Sequence, residues 1–398
     1  MNILVINCGS SSLKFSVIDT QTGADLARGL FQELGSDSPN YKMESALLGA
    51  PNTGKLSPKA EHEEALDALA AFLASDALNI SIQAVGHRVV HGGERFTSAS
   101  LIDDATIEAI KACSPLAPLH NPANLLGIDS SCHHFPDLPQ VAVFDTAFHQ
   151  SLQAEAYLYP IPIELYKEHG IRRYGFHGSS HKYVTAEAAR ILGKPLDETN
   201  LITAHLGNGC SAAAVENGSC VDTTMGLTPL EGLVMGTRGG DVDPGILLHL
   251  HRALGMSIEE IDTMLNKKSG LLGLSQFSND MRSLRQASAE GNSAATLAVS
   301  IFTRRLAKSI SSLRATVKSL DALVFTGGIG ENDWRTRSET LQRLEHLGIV
   351  IDPEANQNAG KDQNGIISQA NSPVKAIVIQ TNEELMIARE TEQLVEKQ

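Results

Sequence analysis

The feature that most constrains this chain is a strand-glycine-strand unit that occurs twice. An apolar run from Ile3 to Ile6 stops at Asn7-Cys8-Gly9-Ser10-Ser11-Ser12, strand character resumes over Leu13 to Ile18, and Asp19-Thr20-Gln21-Thr22-Gly23 turns the chain. The construction returns at Asn200 to Ala204, followed by His205-Leu206-Gly207-Asn208-Gly209, Cys210 to Val215 and the turn Glu216-Asn217-Gly218. Aligned, Asn2 meets Asn200 and Gly9 meets Gly207. Strand-glycine-strand is a common pattern, but the spacing also follows from two halves built on one plan.

The intervening sequence has α/β texture. Glu61 to Ser75 carries Leu66, Leu69, Ala70 and Leu73 at helical spacing, and Val141 to Phe144 reads as a buried strand. A long helical stretch is expected from about Ser293 to Ser319, then a strand over Ala322 to Phe325 and the glycine turn Thr326-Gly327-Gly328-Ile329-Gly330-Glu331-Asn332. Lys375 to Ile379 makes a last strand. Asn382 is placed to cap a final helix whose first turn holds Glu383 and Glu384. The 398 residues suggest two or three domains, and the pattern places a boundary near residue 150.

A formal charge of −14 argues against a nucleic-acid coat or a polybasic membrane binder. The opening MNILVINCGSSSLKF lacks the basic start and long apolar run of a signal peptide or membrane span, so a cytoplasmic protein is expected. Cys8, Cys113, Cys132, Cys210 and Cys220 form no C-x-x-C pair and read as reduced thiols, with no structural metal expected.

Three glycine-rich turns directly follow apolar strands, at 7–12, 205–209 and 326–332. α/β proteins place ligands there, because small residues let backbone N–H groups approach phosphate oxygens. Lys14 lies just beyond the first. No P-loop and no full G-x-G-x-x-G is present, and one such turn alone is more often a plain hairpin; three together favour a nucleotide site. A second set places charged or imidazole groups beside glycine or at strand ends: Arg88 in GHRVVHGG, Asp145 in FDTAFH, His177 and His181 in YGFHGSSH, and Arg238 in GTRGGD. Each has a plain alternative. Arg88 pairs with an acid, Asp145 caps a turn, or His177 and His181 merely open a helix; together they suggest phosphoryl transfer.

The segments NCGSSSLKF, GHRVVHGGE, PLHNP, FDTAFH, RRYGFHGSSH, HLGNG, DTTMGLTPLEGLVMGTRGGDVDP, FTGGIGEN and TNEEL resemble those of the acetate kinases, in the same order from Asn7 to Leu385. The resemblance implies an α/β fold of two duplicated actin/Hsp70/sugar-kinase-like, ribonuclease H-like domains flanking a nucleotide cleft. It implies an N-terminal domain of residues 1–150 closed by a C-terminal helix over 381–398, and a nucleotide-binding domain over 151–380. Arg88 and Arg238 look like the pair that binds the acyl substrate and stabilises the transferring group, with His177 as imidazole partner and Asp145 as the catalytic acid. Asn7 and Glu383 resemble a Mg²⁺ site, with Mn²⁺ as an alternative ion, and Lys14 a phosphate contact. His205, Leu206, Gly207, Asn208 and Gly209, then Asp280, Met281 and Arg282, then Gly328, Ile329, Gly330, Glu331 and Asn332 look like the ATP-binding segments. Val90, Leu119, Phe176 and Pro229 resemble an apolar pocket for the acetate methyl. Cys210 and Gly239 stand where the family commonly has glycine and serine. A homodimer is also implied.

The implied reaction is ATP + acetate ⇌ ADP + acetyl phosphate. Carboxyl groups ionise near pH 4, so the acceptor hardly needs a base; the obstacle is repulsion between two anions. The rivals are a propionate or butyrate kinase, a hydroxyl kinase with a carboxylate base, and a nucleotide-binding module without turnover.

Overall fold

The computed structural model describes residues 1–397 apart from 76, 77, 79 and 119. The chain divides into two compact units, Met1–Phe148 with Asn382–Gln398, and His149–Thr381.

The first unit is built on an eight-stranded sheet of order β5-β4-β3-β2-β1-β6-β8-β7. Its strands are β1 Asn2–Gly9, β2 Ser12–Asp19, β3 Ala24–Gln32, β4 Asn40–Ser45, β5 Asn52–Lys55, β6 Ala84–Val89, β7 Ser100–Leu101 and β8 Gln140–Phe144. Ile3, Leu4, Val5 and Ile6 are all buried, as an unbroken apolar run requires when both faces of a strand are covered. The helix Asn121–His134 packs on β1 and β6, and so does the final helix Glu383–Val395. Asn382 caps that last helix, its side chain accepting from the Leu385 N–H at 2.9 Å, as the sequence predicts. The close approach of the last helix depends on Gly86 in β6, where a Cβ would lie 2.5 Å from Thr391 Oγ1.

The second unit has a five-stranded sheet of order β11-β10-β9-β12-β13, from β9 Leu201–Leu206, β10 Cys210–Glu216, β11 Ser219–Thr223, β12 Ala322–Thr326 and β13 Lys375–Val378. Both sheets contain the same five-strand core. The order β3-β2-β1-β6-β8 runs antiparallel, antiparallel, parallel, parallel, and β11-β10-β9-β12-β13 repeats it pair for pair. The hairpin repeat therefore marks a repeated topology, a doubled α/β plan with β4, β5 and β7 added in the first unit.

Three local expectations shift. β1 continues through Asn7 to Gly9, so Asn7 lies on a strand paired with Lys14 and only Ser10 and Ser11 turn. The long helix runs Ser293–Arg314 and stops short of Ser319: the Thr316 hydroxyl donates to the terminal Leu313 carbonyl, and the Arg314 guanidinium donates to the Val317 carbonyl of the segment that follows. The third glycine turn is a short helix, Gly327–Asn332, entered through Gly327 at φ +76°.

Candidate active site

In the first unit, parallel strands deliver Arg88 from β6 and Asp145 from the residue after β8. The Asp145 N–H donates to the Val89 carbonyl at 2.9 Å, continuing the ladder by one residue. Arg88 then grips the Asp145 carboxylate twice, Nε to Oδ1 at 3.1 Å and Nη2 to Oδ2 at 2.5 Å, while Nη1 donates to Asn7 Oδ1 at 3.3 Å. Burial opposes the charge on Arg88, but Asp145 and Glu383 outweigh it and hold the guanidinium above its ordinary pKa. Burial pushes the Glu383 carboxyl up to about 7, with Arg88 opposing the rise and Asp145 and Glu384 adding to it. Lys14 is paired with Glu384. Asn7, Lys14, Arg88, Asp145, Glu383 and Glu384 thus form one polar and charged cluster. The plain reading of Arg88, a partner for an acid, holds.

The loop after β6 is fixed by two buried asparagines that the sequence reading left unassigned. Asn124 accepts from the Val90 N–H at 3.0 Å and donates to the Cys8 carbonyl at 2.7 Å; Asn121 accepts from His91 N–H at 3.1 Å and donates back to its carbonyl at 2.9 Å. The signal was the Asn-Pro of PLHNP, quoted but given no role. Val90 is 5% exposed, and Leu119 lies outside the described residues.

In the second unit, His177 sits at the N-cap of the helix Gly178–Leu192 in the left-handed region, φ 57°. Its ring lies 4.4 Å from that of His205, and Nδ1 is 2.9 Å from the Ser211 hydroxyl. A Cβ at Gly209 would be 3.2 Å from His177 Nε2 and 2.7 Å from Arg238 Nη2, so the imidazole and the guanidinium bracket one spot beside this glycine. Arg238 donates to the Pro229 carbonyl at 2.6 Å, and burial pulls its guanidinium below its ordinary pKa. Phe176 is buried, and its carbonyl is 2.9 Å from His149 Nε2.

The nucleotide-segment candidates separate into two groups. Gly207, Asn208, Asp280, Met281, Arg282, Gly328, Ile329 and Asn332 line one pocket of about 790 Å³, with Trp334 and Arg335 at its wall. Asn208 is anchored by Gly236 N–H to its carbonyl and by Asn279 to its Oδ1, both at 2.9 Å. Asp280 caps the helix Met281–Ala289, and the side-chain bond from Arg282 holds its carboxyl down at about 2. His205, Leu206, Gly209, Gly330 and Glu331 are not among the lining. Leu206 is fully buried, and Glu331 accepts from Gly327 N–H at 2.9 Å and Thr381 N–H at 3.1 Å, which makes it a brace for the glycine segment. Arg337 was missed by the sequence reading. Only 1% exposed, it donates to the carbonyls of Gly330 at 2.7 Å, Glu331 at 2.9 Å and Asn356 at 2.5 Å, and to Asn356 Oδ1 at 2.8 Å.

Comparison with known proteins agrees across the whole length. A profile of the acetokinase family matches residues 2–389. An acetate kinase from Shewanella sp. (strain W3-18-1) is 52% identical over 398 residues, covering 100% of this chain and 99% of that protein. The crystal structure of Porphyromonas gingivalis acetate kinase superposes with a TM-score of 0.93 at 42% identity, covering 99% of each chain. A propionate kinase from Francisella tularensis superposes at 0.92 with 47% identity, covering 98% of this chain and 99% of the other.

Proposed function

The chain belongs to the acetokinase family, and from that premise we propose how its residues carry out the transfer of the ATP γ-phosphoryl group to acetate. It is an acetate kinase, a phosphotransferase with a carboxyl acceptor. The observation that carries the structural reading is the pocket where Gly207-Asn208, Asp280–Arg282 and the 328–332 segment meet. At about 790 Å³ it has the size of a nucleotide site.

Because acetate is already ionised at neutral pH, the transfer needs no base and the residues act on charge; we assign a direct, in-line transfer rather than one through a phosphorylated Glu. We assign Arg88, Arg238 and His177, by the family resemblance, to neutralising the equatorial oxygens and the acyl carboxylate. Asp145 is committed to Arg88 by two hydrogen bonds, so its role is to orient that guanidinium more than to move a proton. Lys14 serves the phosphates. Val90, Phe176, Pro229 and Leu119 set the space for the methyl group, and His205, Leu206, Gly209, Gly330 and Glu331 support the ATP segments behind the lining.

The first unit fits Mg²⁺, or Mn²⁺ in its place. Asn7 Oδ1 and Glu383 are hard oxygen donors, and Glu383 is a half-buried carboxyl crowded by Asp145 and Glu384, whose repulsion a cation relieves. No group of three or more His, Cys, Asp or Glu arranged for a metal occurs among the described residues; Mg²⁺ takes one or two protein carboxylates and completes its shell with water and phosphate. Bound there, the ion supplies charge neutralisation to the phosphates.

No helix among the described residues is long and apolar enough to cross a membrane, in keeping with the cytoplasmic location we assign. We also assign a homodimer. Its support is the helix Pro244–Leu254, none of whose residues is buried although Ile246, Leu248 and Leu254 are 44%, 53% and 64% exposed.

Trapping acetyl phosphate with hydroxylamine, in parallel reactions with acetate, propionate and butyrate and with Mg²⁺ present or chelated, tests the reading. Acetate should give the highest kcat/KM and chelation should abolish turnover. Higher kcat/KM for propionate would move the chain to the activity named for the Francisella relative.

A further inference from the structure

Taking His177 as the group that touches the phosphoryl oxygens, as assigned above, we propose that Thr203, His181 and Ser211 form a hydrogen-bonded wire that keeps His177 neutral with its proton on Nε2. The three are positioning residues: they equip His177 to donate to the phosphoryl group without carrying charge.

The wire follows from the local fold. His177 and His181 are one helical turn apart, and β9 and β10 bring Thr203 and Ser211 against them. His181 Nδ1 is 2.7 Å from Thr203 Oγ1, His181 Nε2 is 2.8 Å from Ser211 Oγ, and Ser211 Oγ is 2.9 Å from His177 Nδ1. Thr203, His181 and Ser211 are all fully buried. Burial first, and then the neighbouring His149 and His205, hold His181 well below the ordinary imidazole range, so it is neutral with one N–H.

A neutral ring between two hydroxyls allows only two proton arrangements. In the first, the Thr203 hydroxyl donates to His181 Nδ1, His181 Nε2–H donates to Ser211, and the Ser211 hydroxyl donates to His177 Nδ1. In the second, every donor is reversed and the Thr203 hydroxyl must send its proton elsewhere. The acceptor then available to it is the Ala213 carbonyl at 3.5 Å, against 2.7 Å for His181. Hydrogen bonds weaken steeply over that range, so the first arrangement is favoured. His177 Nδ1 is then an acceptor, and the proton of the neutral ring sits on Nε2, the nitrogen that shares the spot beside Gly209 with Arg238. Protonating the imidazole would put two cations side by side and reverse every donor in the wire. His205, stacked on His177, has its Nδ1 2.8 Å from Ser180 Oγ.

Two-bond ¹H–¹⁵N correlation spectra of the full-length, ¹⁵N-histidine-labelled protein without ligands read the tautomer directly. At pH 7.5 His177 should show a protonated Nε2 and a bare Nδ1, and Ser211→Ala should convert this to a mixture. Thr203→Val, close in volume, removes the first donor and should shift the population as well, which keeps the test open if Ser211→Ala does not fold. An Nδ1–H tautomer or an imidazolium in the parent protein, or an unchanged population in Thr203→Val, overturns the proposal. In the phosphotransfer assay His177→Gln, whose amide nitrogen falls near Nε2, should keep a kcat on the order of tenfold above His177→Asn, whose amide falls near Nδ1. The opposite order overturns the proposal. The spectra do not depend on turnover, so a protein that shows the Nε2–H tautomer but phosphorylates no carboxylate would discard the functional reading and leave the wire standing.

Discussion

Arg88 and Asp145 form a two-point ion pair in which the carboxylate is 1% exposed and the arginine side chain 24%. Arg238, by contrast, donates to a single backbone carbonyl, that of Pro229. Removing each arginine should therefore lower kcat by on the order of 10²-fold, the size typical of one lost transition-state donor, with lysine a poor substitute for the fork. Only Arg88→Ala also strands a buried carboxylate, at about 3 kcal/mol of stability. Thermal melts beside kinetics separate the two. Equal Tm losses in both variants would show that the ion pair contributes nothing special, and near-normal turnover in either would make that arginine structural.

Val90 is buried, and Asn124 fixes its backbone N–H. One methylene in an apolar pocket is worth roughly 1–3 kcal/mol, enough for preference but not exclusion. Propionate should be a measurable but poorer substrate, and Val90→Ala should raise kcat/KM for propionate relative to acetate. An unchanged ratio would show that Val90 does not set the depth of the acyl pocket.

Arg337 has four acceptors and almost no solvent, and burial draws its guanidinium down to about 10. Arg337→Met keeps much of the volume but strands the carbonyls of Gly330, Glu331 and Asn356. A loss of about 3 kcal/mol is expected, with weaker ADP binding by calorimetry because the glycine segment loses its brace. Wild-type ADP affinity in a destabilised Arg337→Met would confine its role to folding.

His87, His91 and His149 are each pushed down to about 4 by burial. Unfolded histidine titrates near 6.5, so between about 6.5 and 4 the unfolded chain binds more protons, and stability falls as the pH falls. His181 is lowered as well, whereas His134, which Asp67 raises despite its burial, and Glu383, raised to about 7, act in the opposite sense, two groups against four. With four lowered histidines against two opposing groups, Tm should drop below about pH 6.5. A Tm at pH 5 equal to that at pH 7 would contradict the neutral, buried state of these rings.

What was legible in the sequence was local or periodic. The two hairpins announced themselves as apolar runs broken by glycine, and Asn382 before Glu383-Glu384 marked a helix start, because each signal lies within a few residues. Three short glycine- or aspartate-bearing stretches were read as nucleotide segments, and parts of all three line one pocket. The supports were illegible. Ser211 bonds two histidines about thirty residues away, Arg337 reaches Asn356, and Asn124 bridges Cys8 and Val90. Such pairings across the sequence leave no period and no spacing. The same holds for Leu206, whose place in a glycine-rich stretch suggested a ligand contact while the β9 pleat turned it into the core.

The helix Glu383–Val395 completes the first unit, yet it is encoded after the whole of the second. During synthesis at about 5–20 residues per second, residues 1–148 leave the ribosome on the order of ten seconds or more before the segment that packs on β1 and β6. Throughout that interval the second unit is itself being made, its last strand β13 Lys375–Val378 emerging only at the end, and the first lacks one of its covering layers. The unit that is begun first is thus the one completed last, and the nascent first unit is where a chaperone has most to protect.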